Sequence, residues 1–140
     1  MSEGYVLVER SPTLEEYRRL RRAVGWGDVE TGAIEVGLRN SLFSVCIVLA
    51  NEVIGCGRVI GDGGVYFYIQ DIIVLPEFQG KGIGRRIMGA VMEYLNTHAR
   101  NGAFVGLMAA KGVSKFYERY GFKERPSDAQ GMFRVLRKIS

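Results

Sequence analysis

Residues 66–86, YFYIQDIIVLPEFQGKGIGRR, constrain what this chain can fold into more than any other stretch. A β-branched, apolar run passes through Pro76 into a turn with glycines at alternate positions, Gly80, Gly82 and Gly84. A helical pattern follows, so the order is strand, turn, helix. The first N–H groups of a helix have no intrahelical partner and carry the positive end of its dipole. Here the side chains are stripped from that start, and Lys81, Arg85 and Arg86 surround it. Such a helix start suits an anion, above all a phosphate ester.

The remaining chain is short enough for one core, and we expect a single domain over 1–140. At 47% hydrophobic and 24% charged it reads as globular, not disordered. No apolar run approaches the ~20 residues of a membrane helix, so no membrane partner is expected. The start, MSEGYVLVER, lacks a basic region leading into an apolar one, and a cytoplasmic location is the expectation. A net charge of +4 suits a small anionic ligand. Arg18, Arg19, Arg21 and Arg22 are offset by Glu15 and Glu16, so no nucleic-acid partner is expected. Cys46 and Cys56 flank a hairpin turn read as Asn51-Glu52. That register sets Cys46 opposite Gly57 and Cys56 opposite Ile47, with the thiols on opposite faces. Both are expected buried and reduced, and without a CxxC or Cys/His cluster no metal is expected.

Residues 5–10 read as a strand. Ser11 then caps a helix with Pro12 in its first turn and Leu14, Tyr17, Leu20 and Val24 on one stripe. A second helix is placed at 30–39, with Ile34 and Leu38 inward. Strands at 43–50, 53–60 and 65–75 form an antiparallel meander. A helix from 84 to about 99 leads by a right-handed crossover into a strand at 103–109, apolar enough to be covered on both faces. A short helix at 113–120 is capped by Gly121, and 122–125 with 132–137 read as a closing hairpin. The fold class is therefore α+β, layered α/β/α, with a mixed, mostly antiparallel sheet flanked by helices.

The phosphate motifs with other spacings fail. Gly80-Lys81 is followed by Gly82, so no GxxxxGK[ST] loop exists, and GxGxG is not the dinucleotide fingerprint GxGxxG. Gln79-Gly80-Lys81-Gly82-Ile83-Gly84 resembles the Q/R-x-x-G-x-G/A motif of the GNAT acyltransferase superfamily. Val74-Leu75-Pro76-Glu77-Phe78 is similar to the lead-in of that motif, and Phe116-Tyr117-Glu118-Arg119-Tyr120-Gly121-Phe122 to the family's F/L-Y-x-K/R-x-G-F segment. The resemblance covers roughly residues 43–125. It implies acetyl-CoA as co-substrate and no metal. The backbone of Ile72, Ile73 and Val74 would run beside pantetheine in a strand bulged and splayed near Val74. The turn at Gln79, Gly80, Lys81, Gly82, Ile83, Gly84 and Arg85, with Arg86 nearby, would take the pyrophosphate. Phe116 and Tyr117 would lie at the cofactor, with Tyr117 protonating the departing thiolate. A phenol of pKa near 10 matches a thiolate leaving group of pKa about 8.5.

Some family members carry a glutamate where this chain has Tyr68, and many carry an asparagine where it has Ala110. Asp71 is the only carboxylate in the strand. It is a candidate base, acting directly or through water, or else it orients a loop. His98 reads as a surface residue near a helix end. Trp26, Tyr66 and Tyr68 are candidates for lining an acceptor pocket, and Asp28, Glu30 and Glu35 for attracting an ammonium. The resemblance thus implies an N-acetyltransferase acting on a small primary amine by direct attack in a ternary complex. Acetylation of a protein or peptide amine, and a non-catalytic acyl-CoA-binding module, stay open beside it. So does a homodimer.

Overall fold

A computed structural model describes residues 4–138. The chain divides into two units, Met1–Met108 and Ala109–Ser140. In the first unit the elements run β1 (Val6–Val8), α1 (Leu14–Ala23), α2 (Thr31–Arg39), β2 (Phe43–Leu49), β3 (Glu52–Gly61), β4 (Tyr66–Val74), a 3-10 turn (Pro76–Phe78), α3 (Ile83–His98) and β5 (Phe104–Leu107). The strands form one open sheet in the order β1-β2-β3-β4-β5. All neighbours are antiparallel except β4 and β5, which are parallel and joined through α3. The expected α+β class with a mixed, mostly antiparallel sheet is found.

Alternation along β3 sorts the two layers of helices. A Cβ on Gly55 or Gly57 would meet Ile87 of α3, whereas Arg58 reaches Asp71 and the carbonyl of Gly37 on α2. One face therefore holds α3, with Ile83, Ile87, Met88, Val91 and Leu95 buried, and the other holds α1 and α2 through Tyr17, Leu20 and Ile34.

Several local expectations are corrected. The cap of α1 is Thr13, not Ser11: its hydroxyl accepts from the Glu16 amide at 3.2 Å while the Glu16 carboxylate accepts from the Thr13 amide at 2.9 Å. This reciprocal box satisfies two donors, where Ser11 would satisfy one. The β2–β3 turn is Ala50-Asn51, both at positive φ, and a register shift follows at Ile47/Val48. Together they bring Cys46 opposite Cys56 on the same face, both buried and free. β5 is shorter than expected and not covered on both faces, with Phe104 exposed. In the second unit α4 spans Ser114–Glu118, and Gly121 is left-handed as expected. The closing hairpin is absent among the described residues: 122–138 hold no strand, and Met132 is 92% exposed. Alternating apolar residues make a strand only where a ladder partner receives them.

Two measurements check this packing. A Cβ on Gly57 would lie 2.5 Å from Ile87 and 2.7 Å from Ile72, so Gly57→Ala lowers unfolding stability in urea by about 1–3 kcal/mol. Burial pushes the Cys46 thiol up to about 11, from 9.0 for a free thiol. A folded value above the unfolded one contributes stability below pH 9.0 that is lost as pH rises towards 11. Stability at fixed urea therefore falls over that window, and Cys46→Ser flattens the fall.

Candidate active site

β4 carries the first half of the site. Gln70 is opposite Arg58 and Ile73 opposite Cys56, so Gly57 faces two residues, Asp71 and Ile72. This is a β-bulge, and Asp71 adopts φ 58°. A left-handed L-residue costs roughly 1–2 kcal/mol, less for Asp than for most. The cost is offset locally. The Asp71 Oδ2 accepts from the Tyr17 hydroxyl at 2.7 Å and from Arg58 Nε at 2.7 Å, and Oδ1 accepts from Gln70 Nε2 at 3.2 Å. Arg21 stands 3.8 Å from Oδ1. Charge-assisted bonds of this kind contribute about 1.5–3 kcal/mol each.

Asp71 is 3% exposed, so its electrostatic reach is local but strong. Burial pushes the Tyr17 phenol up, and the adjacent Asp71 charge pushes it further. Burial alone would lower Arg58, but the hydrogen bond and charge of Asp71 outweigh it and hold the guanidinium protonated. The Cys56 thiol is pushed well up by burial and then by Asp71. Three donors thus engage this carboxylate, which is almost wholly removed from solvent.

Past the bulge, β4 loses its neighbour on one side. Pairing with β5 ends at Ile69 and Leu107, and among the described residues Ile73 and Val74 pair only with β3. The other edge is open to an added strand-like partner. The side-chain Nε2 of Gln79 donates to the Val74 carbonyl at 3.0 Å and ties the turn to the strand end. Gly80 and Gly82 take φ 80° and 81°, with nothing within 4 Å of a Cβ at either. Backbone handedness, not crowding, calls for glycine there. The first bond of α3 runs from the Arg86 amide to the Gly82 carbonyl at 3.2 Å, so the amides of Ile83, Gly84 and Arg85 precede the ladder and stay free for an anion.

Lys81 and Arg85 are exposed beside these amides. Arg86 is not free, because its guanidinium donates to the Tyr5 carbonyl at 3.0 Å. Ile83 is buried in the core and offers only its backbone. An edge of β4, a bare helix start and two exposed cations thus follow one another between Ile72 and Arg85.

In the second unit Phe116 and Tyr117 sit on α4, their rings edge to face with centroids 5.1 Å apart. Burial pushes the Tyr117 phenol above its ordinary 10.0. Ala110 precedes that helix without secondary structure. Among the described residues no group of three or more His, Cys, Asp or Glu could hold a metal ion.

The chain matches the acetyltransferase (GNAT) domain model over residues 41–124. It belongs to the GNAT acetyltransferase superfamily. A probable acetyltransferase of unknown function, SA2161 from meticillin-resistant Staphylococcus aureus, superposes with a TM-score of 0.89 at 36% identity, covering 94% of this chain and 99% of that one. The GNAT family protein SP0256 from Streptococcus pneumoniae superposes at 0.76 with 29% identity, over 96% and 99%. The uncharacterized N-acetyltransferase ycf52 of Porphyra purpurea is 26% identical over 137 residues, 95% of this chain and 78% of the relative. The chain is thus an N-acetyltransferase, of a family that takes acetyl-CoA as co-substrate.

Residues the sequence reading missed stand out against this background. Tyr17, Arg58 and Arg21 surround Asp71 but lie outside every GNAT motif quoted above. The readable signal was Arg58, a single charge inside the apolar run of β3. Removing the carboxylate leaves the half-buried Arg58 without its counter-charge, so Asp71→Ala loses about 1–3 kcal/mol of unfolding free energy. Urea titration of the variant measures it, and Asp71→Ala with Arg58→Met together recovers part of the loss.

Proposed function

We propose that this GNAT enzyme transfers acetyl from acetyl-CoA to a primary amine of a small molecule, by direct attack of the amine on the thioester in a ternary complex. The observation that carries the cofactor half is the open edge of Ile72–Val74 running into the left-handed Gly80 and Gly82. Pantetheine amides pair with the edge, and the amides of Gly80 to Arg85 take the pyrophosphate, with Lys81 and Arg85 neutralising it. Gln79 keeps strand end and turn in register. Phe116 and Tyr117 belong to the site by family likeness. Tyr117 gives its proton to the thiolate as the C–S bond breaks, and its raised phenol stays protonated at neutral pH.

For the acceptor, two features support a small amine. Tyr66, Tyr68 and Gln70 share the face of β4 that α1 and α2 cover, and offer two phenols and an amide. The loop between α1 and α2 is fastened by Arg21 to the Gly27 carbonyl at 2.6 Å and by Arg18 to Asp28, the Val29 carbonyl and Thr31. A fastened loop favours a bounded pocket over a long groove. Of the roles open to Asp71, we assign it orientation, because both its oxygens are already engaged.

Thiol release from acetyl-CoA against a panel of amino sugars, arylalkylamines, polyamines, amino acids and peptides tests the reading. Turnover confined to peptides overturns the acceptor class. With a turned-over amine, Tyr117→Phe lowers kcat by about 100-fold and leaves the acetyl-CoA KM nearly unchanged. Burial displaces the loss of the Tyr117 acid form to higher pH, so any alkaline decline of the wild-type rate from this group lies above that of a free phenol. Gly82→Ala places a side chain at φ 81° and weakens acetyl-CoA binding by about tenfold in calorimetry.

A further inference from the structure

We propose that Tyr17 and Arg58 are positioning residues for acetyl transfer, holding the bulge at Asp71 and thereby the edge that pantetheine uses. The functional half of this inference rests on the acetyl-CoA reading above. Apart from Ala50 and Asn51 in a hairpin turn, Asp71 is the one non-glycine residue at positive φ among those described. It is held from three sides. Tyr17 approaches from α1, and Arg58 from β3. The Cys56 thiol donates to the Asp71 carbonyl at 3.4 Å.

Arg58 extends the hold to α2, where its Nη1 donates to the Gly37 carbonyl and to Ser41 Oγ, both at 3.1 Å. Arg21 extends it to the α1–α2 loop, standing 5.6 Å over each of the Tyr17 and Trp26 rings while bonding Gly27. Every partner is satisfied: no buried side-chain N or O among the described residues lacks a hydrogen bond. A left-handed residue set in a strand reverts to extended backbone unless its surroundings over-determine it. Reversion would reorient the peptide planes that follow Asp71 and with them the amides of the open edge. The clamp therefore acts on the cofactor strand from side chains of α1 and β3.

The test uses Tyr17→Phe, which removes one oxygen, and Asp71→Gly, which permits the left-handed backbone but removes the clamp. Hydrogen exchange of ligand-free protein reads the strand itself. Exchange at 71–74 is faster in both variants, with α3 unchanged. Calorimetry then compares acetyl-CoA with the nucleotide half of CoA, which lacks pantetheine. Acetyl-CoA affinity falls by about tenfold, the scale of one lost charge-assisted bond, and the nucleotide half stays within twofold. Arg58→Lys keeps the charge, loses the fork, and falls between wild type and Tyr17→Phe. Unchanged exchange at 71–74 overturns the clamp. Equal loss of both ligands overturns it too, because it marks general destabilisation. Wild-type protein that binds neither ligand overturns the acetyl-CoA reading, while the exchange result still decides the clamp.

Discussion

Asp71 turns left-handed in the middle of a strand, and the rest of the site is arranged around that turn. One extra residue opposite Gly57 swings β4 off its straight course. Gly57 has no side chain to obstruct the swing, and Ile72 and Ile87 fill the space a Cβ would take. Pairing with β5 stops just before the bulge, so the backbone beyond it has one partner instead of two. An unpaired edge at the middle of a sheet is ordinarily an aggregation hazard. Here it ends at once in Pro76 and a turn, which keeps the exposed edge short.

The glycines of this chain answer two separate demands. Gly55 and Gly57 are required by proximity, since α3 lies directly on them. Gly80 and Gly82 are required by handedness, with open space around each. The first pair lets α3 approach the sheet, which fixes where its N-terminus points. The second pair turns the chain so that its amides converge there. Removing a member of the first pair disturbs the core, whereas removing a member of the second disturbs only the anion site.

What the sequence disclosed followed from the range over which each signal acts. The strand–turn–helix at 66–86 was legible because its information is local: φ at Gly80 and Gly82, β-branching before Pro76, apolar periodicity after it. The element order and the crossover followed from it. The partner of Asp71 was not legible, because Tyr17 lies 54 positions away and reads on its own as one more inward residue of an amphipathic helix. The cysteine register failed for a related reason. A turn displaced by one residue and a bulge each shift every later pair. The closing hairpin at 122–137 was a propensity argument without a ladder to receive it.

The same structure explains why a net charge of +4 is a poor guide to this protein's electrostatics. Most of its notable cations are already spoken for. Arg18 is bound to Asp28 and Thr31, Arg19 to the Val53 carbonyl, Arg21 to the Gly27 carbonyl, Arg58 to Asp71 and Arg86 to the Tyr5 carbonyl. Three of the four arginines of α1, Arg18, Arg19 and Arg21, are fasteners for the loop and sheet beneath them. Lys81 and Arg85 differ, being exposed where the dipole of α3 and three free amides also point. At that helix start exposed cations, free amides and the helix dipole act together, which no other exposed cation of α1 or β3 shares.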